Sequence, residues 1–150
     1  MDRIIFANIA FYCAQVIAYR LVVGRKERAM PKTSRVLVID DDRQILRLFR
    51  RVLEDGGVSV VVAESGQKAL DLLRDQAFKV VVVDMSMPDP DGFEVLRTLR
   101  SNPHHPRILA VSGYMHGELL AAAEFLGADA TLNKADAPTL LLDTVNDLLR

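Results

Sequence analysis

The chain has 150 residues, half of them hydrophobic and 26% charged, with a formal net charge of -1. That length holds one compact domain, or one domain with an appendage, and the composition excludes collagenous, low-complexity and intrinsically disordered classes. The small net charge hides an asymmetry, because residues 1–34 carry six basic against two acidic side chains and the remainder is therefore acidic. An acidic body is poorly suited to neutralising a run of phosphates, so nucleic acid is not an expected partner. Cys13 is the single cysteine, which excludes an intrachain disulfide and fits a reducing, cytoplasmic setting.

Residues 1–33 read as an apolar, helical N-terminal extension. Between 4 and 19 only Asn8 and Gln15 interrupt the apolar run, and Leu21, Val22 and Val23 follow Arg20. A spanning helix needs about 20 apolar residues, so 4–23 reaches that length only with Arg20 snorkelling to the interface. Arg25, Lys26 and Arg28 would then keep the rest of the protein in the cytoplasm, tethered to the membrane. No small-residue cleavage site follows the run, which disfavours a signal peptide. Three readings stay open: a membrane anchor or interfacial helix, a helix packed on a partner through Phe6, Phe11, Tyr12 and Tyr19, and a misassigned start with Met30 as the true first residue.

Residues 34–150 read as one α/β domain. A first strand at 36–39 precedes a helix in which Ile45, Leu48, Phe49, Val52 and Leu53 recur at helical spacing, with Gly56 and Gly57 as its stop. A strand at 58–63 and a helix at 65–75 follow, then the four valines of a strand at 80–83 and a helix at 92–101 around Phe93, Leu96 and Leu99. The chain closes with a strand at 108–111, a helix at 116–126, a strand at 130–132 and a helix at 138–150. Runs rich in β-branched residues, without alternation, belong to strands buried on both faces. The pattern predicts a flavodoxin-like, doubly wound fold: a five-stranded parallel sheet of order 2-1-3-4-5 with helices on both faces.

In such a sheet ligands bind beyond the carboxyl ends of the strands, where the strand order reverses. The first strand ends in Asp40, Asp41 and Asp42, the third in Asp84, the fourth in Ser112, and the fifth runs on to Lys134. With order 2-1-3-4-5 the reversal falls between the two strands that carry acids. Three aspartates before a helix also serve as a capping device. Asp84 at the neighbouring strand end adds a requirement, since clustered carboxylates repel unless a cation or proton intervenes. Mg2+ suits so sparse a site, being held by one or two carboxylates, waters and phosphate oxygens. Lys134 supplies a compact cation for phosphate, and Ser112 a hydroxyl donor.

Four segments together carry a family resemblance: Val36-Leu-Val-Ile-Asp-Asp-Asp42, Val82-Val-Asp-Met-Ser-Met-Pro-Asp-Pro-Asp-Gly92, Ala110-Val-Ser112 and Gly127-Ala-Asp-Ala-Thr-Leu-Asn-Lys134. They resemble the receiver domain of two-component response regulators, in its single-domain, chemotaxis-regulator-like form. The resemblance implies a stand-alone phosphorelay module in which Asp84 is the phosphoacceptor and Asp40, Asp41, Asp84 and the backbone carbonyl of Ser86 hold magnesium. Ser112 and Lys134 are then the groups that stabilise the transferring phosphoryl. A histidine kinase or histidine phosphotransfer protein is the implied donor, and an unnamed downstream protein the implied reader. No enzyme activity is expected beyond phosphoryl transfer to Asp84 and its loss to water.

Two positions depart from the family pattern. A proline usually follows the lysine, in a cis bond that helps place it, and here Ala135 follows Lys134. An aromatic residue usually stands three positions before that lysine and swings inward on activation, and here the position is Thr131, so that switch cannot operate. The expectation is retained phosphorylation with an altered readout through Ser112, Thr131 and Tyr114. A pseudo-receiver, an interaction module acting without phosphorylation, is the alternative. An aspartyl phosphatase is disfavoured because Ser86 stands where its acid/base aspartate would be, and a flavin carrier because no phosphate-cradling loop follows the first strand. His104 and His105 are adjacent and cannot easily converge on one ion. Arg47, Arg50 and Arg51 read as a solvated helix face, with an acidic partner surface as the rival reading.

Overall fold

The computed structural model describes residues 35–113 and 117–150. The predicted N-terminal extension, Tyr114 and the predicted helix start at 116 lie outside the described residues. Strands and helices alternate as β1 (Arg35–Ile39), α1 (Arg43–Asp55), β2 (Ser59–Ala63), α2 (Gly66–Asp75), β3 (Val80–Asp84), α3 (Gly92–Arg100), β4 (Arg107–Ser112), α4 (Gly117–Phe125), β5 (Ala130–Asn133) and α5 (Ala137–Leu148). All five strands are parallel, in the order β2-β1-β3-β4-β5. The predicted topology is the observed one.

The valine run of β3 shows why the sheet is covered twice. Val80 and Val82 point to one face and pack with Leu46, Phe49 and Leu53 of α1 and Leu141 and Val145 of α5. Val81 and Val83 point to the other, toward Ala69 of α2, Val95, Leu96 and Leu99 of α3 and Ala123 of α4. All four valines are fully buried. Burial of each contributes about 2 kcal/mol, so neither face of this central strand tolerates a polar replacement. Among the described residues, no helix is long and apolar enough to cross a membrane.

Several boundaries differ from the sequence reading by one or two residues, and three of them have a local reason. Strand β2 begins at Ser59 rather than 58, because the Val58 N–H donates to the Leu53 carbonyl at 3.0 Å and so belongs to the stop of α1. That stop is a Schellman turn with Gly57 at φ +83°, a backbone conformation only glycine adopts cheaply. Strands β3 and β4 run past 83 and 111, since Asp84 pairs with Val111 and Ser112 with Asn133. The acid and the hydroxyl therefore stand on the sheet itself. Gly92 opens α3 directly against the end of β3, where a Cβ would collide with the carbonyl oxygen of Asp84.

Candidate functional site

The three aspartates after β1 divide their work. Asp42 is the N-cap of α1, its Oδ1 accepting from the Gln44 N–H at 2.7 Å, so the capping reading holds for this residue. Asp40 turns inward and is 1% exposed, with Oδ1 accepting from the Asp42 N–H at 2.9 Å. Asp41 stays exposed beside it. Pairing of Ile39 with Val83 sets the ends of β1 and β3 side by side and brings Asp84, 2% exposed, next to Asp40.

The fifth strand supplies the cation. Lys134 Nζ lies 2.9 Å from Asp84 Oδ2 and 2.6 Å from Asp40 Oδ2. Toward Asp84 this is an aligned hydrogen bond, whereas toward Asp40 it is a close ion pair without that alignment. No proline is needed to place the lysine. Asn133 builds the turn instead, its Oδ1 accepting from the Ala135 N–H at 3.0 Å and its carbonyl from the Asp136 N–H at 2.9 Å. The Lys134 N–H donates to the Ser112 carbonyl at 2.8 Å, which anchors the lysine's own backbone to β4. The role of Asn133 was missed in the sequence, although an asparagine before a turn was the available signal.

Ser112 is fully buried, and its hydroxyl oxygen lies 3.2 Å from that of Ser86. The Ser86 N–H donates to Asp84 Oδ1 at 3.0 Å. Both oxygens of Asp84 are thus held, one by the loop after β3 and one by Lys134.

Two buried carboxylates share one ammonium and an exposed third lies beside them, leaving the cluster net negative. Burial pushes the Asp40 carboxyl above its ordinary value of 3.8, and the charge of Asp84 pushes the same way, against the Lys134 ammonium and the Asp42 N–H. Burial pulls Lys134 down, but Asp40 and Asp84 outweigh it and hold the ammonium above its ordinary 10.5. Both shifts express one condition: the site retains positive charge tightly. Oxygens of Asp40, Asp41 and Asp84 lie within 4.8 Å of one another, and Asp40 Oδ2 is a buried acceptor with no hydrogen bond. This all-oxygen, under-neutralised donor set fits a hard divalent cation such as magnesium.

The remaining candidates lie elsewhere. Thr131 is outside the acid cluster, its hydroxyl donating to Glu124 Oε1 at 2.7 Å and tying β5 to α4. Arg50 and Arg51 pair along their own helix with Glu54 and Asp55, as a solvated face does. His105 stands at the amino end of β4, with Nδ1 2.8 Å from the Pro106 carbonyl and Nε2 2.6 Å from Arg100 Nη1. A cleft of about 640 Å³ between α2 and α3, lined by Leu73, Phe78, Leu99 and His105, opens at that same amino end and includes none of Asp40, Asp41 and Asp84.

The family model for the response regulator receiver domain matches residues 36–146. Response regulator MprA of Mycolicibacterium vanbaalenii is 40% identical over 116 residues, a match covering 77% of this chain and 50% of that protein. The chain spans about half the length of the curated relatives of this kind that it matches. Among solved structures, the receiver domain of Francisella response regulator 1452 superposes with a TM-score of 0.72 at 30% identity, covering 78% of this chain and 97% of that one. Response regulator TrrA of Thermotoga maritima, solved in complex with Mg2+ and BeF, gives a TM-score of 0.70 at 25% identity, over 78% of this chain and all of that one.

Proposed function

This chain belongs to the response regulator receiver domain family, a signalling phosphoacceptor module, and from that premise we propose that Asp84 is the residue phosphorylated and that the receiver spans residues 34–150. The observation that carries the assignment is the placement of Asp84: a buried carboxylate at the end of the central strand, held on one oxygen by the Ser86 N–H and on the other by Lys134. Asp40, Asp41, Asp84 and the Ser86 carbonyl are the groups that would hold magnesium. Bound there, the cation would offset charge on the phosphoryl oxygens and on the carboxylates at once.

The reaction is a phosphoryl transfer in which one Asp84 oxygen forms the new P–O bond as the bond to the donor atom breaks. A phosphohistidine on a kinase or phosphotransfer protein, protonated on its other ring nitrogen, leaves as neutral imidazole, and a small acyl phosphate leaves as its carboxylate. Lys134 already lies on Asp84 and turns its charge onto an incoming phosphoryl oxygen with a small movement of a flexible stem. Ser112 supplies a second donor from β4. Water returns the site to the free carboxylate, so the signal is a differential binding of a downstream protein to two states. This reading implies a cytoplasmic protein.

Incubating the full chain with Mg2+ and acetyl phosphate, and weighing it intact, tests the assignment. The expected result is a phosphoryl adduct in wild type that needs magnesium and is lost in Asp84→Asn. A folded wild-type chain that accepts no phosphoryl group from acetyl phosphate or from a phosphohistidine protein would overturn it in favour of a phosphorylation-independent interaction module.

A further inference from the structure

We propose that Ser86 is a positioning residue that restrains Ser112, a role that rests on the assignment of Asp84 as phosphoacceptor. The Ser112 side chain is fully buried, and among the described residues its hydroxyl makes one hydrogen bond, to the Ser86 hydroxyl at 3.2 Å. Ser86 is exposed and has water within reach. This asymmetry sets the direction of the bond. A buried O–H has to place its proton somewhere, and Ser86 Oγ is the acceptor in reach, so Ser112 donates and Ser86 accepts.

A hydroxyl has one proton. When a phosphoryl group occupies Asp84, the Ser112 proton turns to a phosphoryl oxygen and leaves Ser86, whose oxygen then turns to water. Ser86 therefore stabilises the free state selectively and raises the threshold for phosphorylation. Its reach follows from the loop: the Ser86 N–H is fastened to Asp84 Oδ1 at 3.0 Å, which seats the residue between the acceptor carboxylate and the hydroxyl it restrains. Removing the Ser86 hydroxyl leaves the buried Ser112 O–H without an acceptor in the free protein alone, and one neutral hydrogen bond corresponds to roughly a fivefold change in the equilibrium.

The test titrates the full chain with beryllofluoride at saturating Mg2+, followed by amide NMR at Asp84, Ser86 and Ser112. Ser86→Ala is expected to saturate at about fivefold lower beryllofluoride than wild type. Ser86→Thr restores the acceptor hydroxyl and is expected to reverse the Ser86→Ala shift, moving the titration back toward the wild-type midpoint. In a Ser112→Ala background the Ser86→Ala change is expected to have no effect, which a merely structural role for Ser86 would not produce. An unchanged or weaker titration in Ser86→Ala, or an equal effect with and without the Ser112 hydroxyl, overturns the restraint while leaving Asp84 in place. Failure of wild type itself to bind beryllofluoride overturns the assignment of Asp84, and the restraint with it.

Discussion

Carboxylates and cations meet at both ends of this sheet, in opposite proportions. At the carboxyl end, Asp40 and Asp84 share the single ammonium of Lys134, and Asp41 adds a further negative charge nearby. At the amino end, the carboxylate of Asp129 receives the Ile108 N–H at 2.8 Å and Arg107 at 2.9 Å, with Arg100 3.7 Å away. Burial alone would push the Asp129 carboxyl up, but the Ile108 N–H and the two guanidiniums outweigh it and hold it below the ordinary carboxylate range. Asp40, with burial and a second carboxylate against it, goes the other way. The same residue types thus close one end of the sheet as finished structure and leave the other with an unmet demand for positive charge. A fold that satisfied both ends equally would have no reason to bind a cation.

The largest expected effect breaks the satisfied end. Asp129→Ala strips the fully buried Ile108 N–H of its partner and leaves Arg100 and Arg107 facing each other, and it is expected to lower stability by about 2–3 kcal/mol. Urea unfolding measures it. A loss below about 0.5 kcal/mol, the range of an ordinary surface substitution, would mean that this end is not the structural clamp its contacts describe.

At the carboxyl end the sign reverses. Asp40→Asn removes a buried charge from a net negative cluster, keeps an oxygen for the Asp42 N–H and leaves Lys134 paired with Asp84, so no partner is stranded. The metal-free variant is expected to be more stable than wild type by about 1 kcal/mol. Magnesium supplies the same relief in wild type: at ten times its dissociation constant it is expected to add about 1.4 kcal/mol, and to add far less to Asp40→Asn. Thermal unfolding with and without Mg2+ in both chains decides this. A destabilised Asp40→Asn would show that the contact with Lys134 outweighs burial and that the site carries no excess charge.

How much of this contrast the sequence disclosed differs between the ends. The topology was legible because β-branched runs and helical spacing alternate without interruption from β1 to α5. Asp40, Asp84, Ser112 and Lys134 were legible because a parallel sheet gathers the carboxyl ends of its strands. The division of labour among Asp40, Asp41 and Asp42 was not, since adjacent identical residues differ only in the direction the backbone turns them. Asp129 was hidden for another reason: its partners come from α3 and β4, 21 to 29 positions away, and no local pattern announces them. The hydroxyl contact between Ser86 and Ser112 was hidden likewise, because it depends on β4 running one residue beyond its apolar core.

The smallest effect, and the sharpest comparison, is the pH dependence of stability. Asp129 has its folded pKa depressed below 3.8, so between that folded value and 3.8 the unfolded chain binds the extra proton and stability rises with pH. Its contribution is complete above 3.8 and is lost as pH falls through the folded value. Asp40 has its folded pKa raised above 3.8, so in the window from 3.8 up to that raised value the native chain binds the extra proton and stability falls as pH rises. Metal-free unfolding scans across this range are expected to show a rise below about pH 4 that disappears in Asp129→Asn, and a decline above it that disappears in Asp40→Asn and is offset in wild type by Mg2+. Lys134 adds nothing to either window, because its raised pKa keeps its contribution constant until the solution passes 10.5. If both aspartates proved to act in the same direction, the two ends of the sheet would differ in geometry but not in charge balance, and the demand for a cation would have to be sought in the phosphoryl group rather than in the free protein.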